Sequence, residues 1–223
     1  MEKKILEARH SVRAYTTDRI PDEIRKIIDE KINSYNSEGN LKISIVYDEP
    51  ESFGKSILAH YGKFSNVANY FCMIAEKSSA DVEERLGYYG EKLVLLVQEL
   101  GLNTCWVGLT FKMGKIPVKL NKGDKIFAVI AVGYGENQGV EHKSKTPEKV
   151  APDFDSAPEW YREGVKCALL APTAINQQKF NFKYLGDNKV KATHGVGFFT
   201  KMDLGIAKCH FEIGARPMEV DWS

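Results

Sequence analysis

Residues Leu93 to Leu100, LVLLVQEL, put apolar side chains on nearly every face of the helix they would form, and Gly101 follows as a natural C-terminal cap. Such a helix has no solvated side. It has to be enclosed by a core or a subunit interface, so the rest of the chain must be arranged around it. The 223 residues are enough for one large domain or two small ones.

The flanking segments supply the enclosure. IPDEIRKIIDEKI places Pro21 where a first-turn proline belongs and repeats Ile24, Ile27, Ile28 and Ile32 at helical spacing, with Gly39 closing the region. LKISIVYD and NYFCMIAEK read as strands. KIFAVIAVGYG is a continuous apolar strand, expected at the centre of its sheet. The polar stretch ENQGVEHKSKTPEKVAPDFDS reads as a linker on the surface. From Pro158 the order begun at Pro21 recurs as proline, amphipathic helix, loop and short alternating strand, and MDLGIAKCHFEIGA echoes the apolar helix. The expected fold is α+β, with two related halves, 1–150 and 151–223, sharing one core.

Balanced charge, 31 basic against 30 acidic residues, excludes the broad positive field that nucleic acid requires. The N-terminal MEKKILEARH lacks the apolar core of a signal peptide, and the longest apolar run, Ile126 to Val132, is too short to span a bilayer. Cys72, Cys105, Cys167 and Cys209 are widely spaced without a CxxC pair and read as buried free thiols of a cytoplasmic protein. No HExxH, Ser–His–Asp pattern or metal-ligand cluster is present. His210 and Asp203 fall seven apart on the second apolar helix; a core histidine with a backbone partner is the better reading than an acid–base pair.

Four motifs carry chemistry. RHSVRAY holds Arg9, His10, Ser11 and Arg13, with no acid between Glu7 and Asp18. Guanidinium, imidazole and hydroxyl donors suit a phosphate, as do Lys143 and Lys145 of HKSK; alone, the cluster also reads as a solvated basic turn. LAPTAINQQKF offers Pro172, Thr173, Ala174 and Asn176, either a ligand-facing turn or a simple helix-to-strand turn. In CWVGL, Gly108 permits close backbone approach beside Val107 and Leu109, or is a turn glycine after a buried Trp106.

Together these motifs resemble the FMN-dependent nitroreductase family. RHSVRAY resembles its N-terminal signature, APTAIN its second signature, LGLNTCWVG the segment after its central helix, and GYG through HKSK its phosphate-binding tail. The Asn motif here follows the VIAVGYG strand, and Lys179-Phe180 replaces the usual Pro-Trp; that order resembles the Thermotoga-type members. The resemblance implies a nitroreductase-like fold and bound FMN, with Arg9, His10, Ser11, Lys143 and Lys145 toward the phosphate. It further implies Arg13, with Lys63 second, near flavin N1 and O2, a Gly108 or Leu109 amide near N5, and Thr173 and Asn176 at the ring edge or ribityl chain. NAD(P)H would be the donor and a nitroaromatic, quinone or enone the acceptor, the nicotinamide binding transiently because no GxGxxG is present. The alternative is a flavin-binding protein without turnover, a redox sensor or FMN store.

Wider family members are homodimers that draw one signature from each subunit. This chain carries each signature once, in different halves, which suggests an intrachain pseudo-dimer with one FMN per chain, either as a monomer or within a further homodimer. Mixing an Arg9→Ala chain with an Asn176→Ala chain tests this. Self-contained sites give no recovery of flavin binding on mixing, whereas recovery of about one intact site per mixed dimer would show that the signatures act in trans.

Overall fold

The computed structural model describes residues 3–53, 64–109 and 111–223. In chain order the elements are α1 (Lys3–Ala8), α2 (Asp22–Gly39), β1 (Ser44–Val46), β2 (Tyr70–Glu76), α3 (Val82–Glu99), β3 (Asn103–Val107), β4 (Asp124–Gly133), α4 (Glu159–Ala168), β5 (Phe180–Gly186), β6 (Lys189–His194), α5 (Thr200–Ala215) and β7 (Asp221–Trp222). They form two compact units that alternate along the chain. One comprises Arg9–Val82 and Leu93–Val140; the other comprises the described residues up to Ala8, Glu83–Lys92 and Glu141–Ser223.

The first unit is built on an antiparallel sheet of order β1-β2-β4-β3. β4, the continuous apolar strand, is an inner strand as its composition predicts, pairing Ala131 with Tyr70 on one side and Cys105 on the other. Val12, Tyr15, Val46, Tyr70, Cys72, Ile74, Val107, Val129 and Ala131 cluster against one another in its core. Gly101 caps α3 as expected: its φ is +81°, and the Leu102 amide reaches back to Val97 O at 2.8 Å. Two boundaries differ from the sequence reading. Pro21 takes the N-cap ahead of the first turn, where its carbonyl accepts the Arg25 amide at 3.0 Å. α2 continues through Gly39, and Asn40 adopts the left-handed cap (φ +47°), a conformation asparagine tolerates through its short polar side chain.

In the second unit α4 and α5 pack together beside a three-stranded sheet, β5-β6-β7. β6 and β7 were not legible in the sequence, because KVKATH buries only Val190 and leaves no alternating apolar face. α5 is buried along most of its length, from Met202 to Ala215. It meets the Glu83–Lys92 part of α3 backbone to backbone. A Cβ on Gly87 would lie 2.0 Å from Met202 O, and one on Gly205 would lie 1.9 Å from Glu84 O.

All four cysteines are free and buried. Burial pushes the Cys72 thiol up to about 12 and the Cys167 thiol up to about 11, and holds Cys105 and Cys209 above the ordinary thiol value. Among the described residues no helix is long and apolar enough to cross a membrane.

The helix contact makes a stability prediction. Gly205→Ala forces backbone against backbone, and overpacking of this kind costs about 1–3 kcal/mol. A thermal melt should therefore fall by roughly 3–10 °C. Gly114→Ala, whose Cβ meets nothing within 4 Å, serves as the control. An unchanged melting temperature for Gly205→Ala would mean that these helices do not touch there.

Candidate functional site

Backbone pairing sets the first group of residues. Arg9 to Tyr15 runs beside β3 as an extended segment: Ser11 bridges Thr104 in parallel, and the Val12 amide donates to Thr104 O at 2.9 Å. Val12 and Tyr15 point inward, each 1% exposed, and the Tyr15 hydroxyl donates to Val12 O at 2.7 Å. The other edge is tied down by Tyr15 N to Ser65 O, Ser65 N to Arg13 O, and Thr16 N to Tyr134 O, at 2.8–3.1 Å. Gly139 (φ +75°) lets the chain pass His10, where a Cβ would come within 2.7 Å of the His10 Cβ.

With Val12 and Tyr15 inside, the Arg13 side chain is left outside. Among the described residues its guanidinium has no ion-pairing carboxylate. Arg9 is buried at 3% exposure. Burial raises the Cys105 thiol, and the charge of Arg13, a hydrogen bond from Ser11 and the charge of Arg9 pull it down, so all three act on one sulfur. Val107 closes the β3 ladder opposite Val129, Gly108 is half-buried, Leu109 is exposed and Trp106 is half-buried. Lys63 lies outside the described residues.

The second group is internal to the other unit. The turn after α4 is left-handed at Ile175 (φ +49°), Asn176 (φ +55°) and Gln178 (φ +45°). For non-glycine residues this costs on the order of 1–3 kcal/mol each, and a β-branched Ile is an extreme case. The offset comes from side chains around the turn. Asp203 of α5 accepts the Ala174 amide at 3.0 Å and Gln177 Nε2 at 2.7 Å. Thr173 Oγ1 accepts the Gln178 amide, and Thr173 O accepts the Asn176 amide.

The HKSK segment is stitched onto the same turn. Asn176 Nδ2 donates to Lys143 O at 2.9 Å, and the Lys145 amide and ammonium donate to Gln178 Oε1 and O at 2.8 and 2.7 Å. Ser144 Oγ and Gln178 Nε2 both donate to Leu169 O, and His142 Nε2 lies 3.0 Å from the same oxygen. The structure thus brings together Lys143, Lys145, Thr173, Ala174 and Asn176, with Pro172 half-buried at the entry. Partial burial, then the like charges of Lys179 and Lys149, lower the Lys145 ammonium pKa. Three cations therefore gather on this side of the turn.

Gln178, 1% exposed, and Asp203, 3% exposed, organise the turn and were missed as organisers. A signal existed: Asp203 is the lone acid in the apolar run MDLGIA. Its partner is not His210. The His210 ring is fully buried, with Nδ1 3.2 Å from Cys167 O and Nε2 2.8 Å from Glu91 Oε1. Because a carbonyl only accepts, Nδ1 carries a hydrogen, and a single proton is left between Nε2 and Glu91. The expected backbone partner is present, and the carboxylate comes from α3. Among the described residues no cluster of three His, Cys, Asp or Glu could hold a metal.

The sequence profile of a family described as "Putative TM nitroreductase" matches residues 3–215. The chain is similar to a putative nitroreductase of Thermotoga maritima, at 23% identity and TM-score 0.66, covering 97% of this chain and 84% of that one. A nitroreductase-like protein of Streptococcus mutans aligns at 13% identity and TM-score 0.54, over 66% and 94%. A putative nitroreductase of Desulfovibrio desulfuricans in complex with FMN aligns at 16% and 0.50, over 67% and 96%. These likenesses establish the nitroreductase fold. No curated protein matches the chain.

The stitching around Gln178 is open to test. Gln178→Leu deprives the Lys145 amide of its acceptor and Leu169 O of a donor, at about 1–3 kcal/mol for the unsatisfied groups. Hydrogen exchange at the Lys145 amide should speed up by roughly tenfold or more while Val165 in α4 stays protected. Unchanged exchange at Lys145 would show that the carboxamide does not hold the segment.

Proposed function

Since the chain belongs to the putative TM nitroreductase family, we propose that it is an FMN-dependent oxidoreductase that takes electrons from NAD(P)H and delivers them to a small organic acceptor of the nitroaromatic, quinone or enone class. The observation that carries this is Arg13: an outward guanidinium without a carboxylate partner among the described residues, on a segment whose backbone is fixed from both sides. Little backbone freedom remains to be lost when such a group meets an anion, which favours a built site over a solvated turn.

The residues present fit FMN by the chemistry of their donors. A phosphate with close to two negative charges suits guanidinium, hydroxyl and ammonium groups, and we assign Arg9, His10, Ser11, Lys143 and Lys145 to it. Lys145 keeps two of its three ammonium protons after its bond to Gln178 O. We assign Arg13 to the N1 and O2 edge, where a fixed cation favours added negative charge. Pro172, Thr173, Ala174 and Asn176 serve the ring edge or ribityl chain; Asn176 Oδ1 is left to accept while Nδ2 holds Lys143 O. Val107, Gly108 and Leu109 offer backbone amides. FMN, when bound, supplies the hydride and electron chemistry, so no protein general acid is required.

Denaturing the purified protein should release FMN, and anaerobic NADH or NADPH should bleach its visible absorption. Arg13→Ala should weaken FMN binding by about 1.5–3 kcal/mol, the scale of a charge-assisted hydrogen bond, and shift the flavin potential to more negative values. Release of FAD, or no flavin after reconstitution, would overturn the cofactor; a flavin that neither nucleotide reduces would leave a binding protein without turnover.

A further inference from the structure

We propose that Asp203 is the positioning residue of the second signature: its ionised carboxylate locks the Ala174–Gln178 turn in the left-handed form that presents Asn176, and proton uptake loosens that lock. The inference rests on the flavin reading above for its ligand, while the lock itself stands on geometry.

Bonds inside the turn, from the Asn176 amide to Thr173 O and from the Gln177 amide to Ala174 O, are supplemented from outside it. Ile175 is 73% exposed, so burial of its side chain contributes little against its left-handed backbone. The compensating bonds from below come from one residue on a buried helix. Asp203 Oδ1 takes the Ala174 amide and Oδ2 takes Gln177 Nε2, whose second hydrogen goes to Phe198 O at 2.8 Å. Both carboxylate oxygens thus face donors. A neutral acid presents an O–H to one of them, and a carboxamide presents an N–H, so either change sets donor against donor at half of the contact.

The groups facing the carboxylate are the neutral Ala174 amide and Gln177 carboxamide. In the adjoining elements, Lys179 donates its ammonium to Val196 O, and His194 has Nδ1 3.0 Å from Gly195 O and 3.4 Å from Thr200 Oγ1. Among the described residues no cation lies within ion-pairing distance of Asp203. Burial therefore outweighs the two hydrogen bonds and pushes the carboxyl up to about 6.

The signs of the two consequences oppose each other. A carboxyl raised above its unfolded value makes the fold lose stability from this group as pH rises from about 4 through about 6. The lock on the turn, however, is complete only above about 6. A merely structural Asp203 would couple binding to stability in the same direction; a positioning Asp203 separates them.

FMN affinity of wild type and Asp203→Asn, measured by fluorescence from about pH 5 to pH 8, decides this. We expect the variant to bind about tenfold more weakly at pH 8, the worth of one or two ordinary hydrogen bonds, with a melting temperature there no lower than wild type. The gap should close toward pH 5. The phosphate of FMN titrates in the same range in both proteins, so the ratio of the two dissociation constants isolates Asp203. Equal affinities across the range overturn the proposal and leave FMN binding intact. The apo chain gives a second readout: the Ala174 amide resonance should titrate near pH 6 in wild type and not in Asp203→Asn. If wild type binds no flavin, the function above fails, and this titration still decides the lock. Its loss in the variant upholds the lock, and a flat wild-type curve overturns it.

Discussion

Backbone contact between α3 and α5 is the constraint on which the second unit depends. Gly87 and Gly205 each face a carbonyl of the opposing helix, and only a missing side chain allows that approach. Once the helices are this close, Glu91 and His210 are drawn into the same dry interface, where they share one proton. Separating such a pair by removing one partner leaves a buried charge or an unmatched donor, a loss of roughly 3–5 kcal/mol. The helix that results cannot shift without breaking this arrangement, and it carries Asp203 at its first turns. The position of the APTAIN turn is therefore inherited from a helix crossing rather than set locally.

The first unit reaches a comparable rigidity by a different route. There the ladder of β4 against β2 and β3 provides the frame, and Arg9 to Tyr15 is added to it as an extra edge. Val12 and Tyr15 take the inward places, and the Arg13 side chain lies exposed. Burying the Tyr15 ring raises its phenol well above the ordinary value, and the hydroxyl is satisfied within the same segment by Val12 O. A cation delivered in this way is carried on a backbone held by hydrogen bonds, with no carboxylate among the described residues paired to it.

Features that depend on local periodicity were legible: α2, β2, the inner place of β4 and the Gly101 cap follow from spacing and residue type. The meeting of HKSK with APTAIN was not, since the resemblance grouped Lys143 and Lys145 with Arg9, His10 and Ser11. What could not be read were bonds between residues far apart in the chain. Gln178 looks like an ordinary loop glutamine until Lys145 and Leu169 are placed around it, and Asp203 looks misplaced in an apolar helix until Ala174 and Gln177 arrive above it. β6 failed for another reason, since a strand with one buried residue has no pattern to detect.

The buried cysteines bear on the chemical durability of the chain. A thiol held in its protonated form is a poor nucleophile, and all four are buried and raised above their ordinary value. Quinones and enones are soft electrophiles that alkylate thiolates. A catalyst that handled such molecules on every cycle would be consumed by its own substrates if its sulfur were accessible and ionised. Here the sulfur is sequestered among β2, β3, α4 and α5, and protection of the thiols from electrophiles comes with the packing of the core.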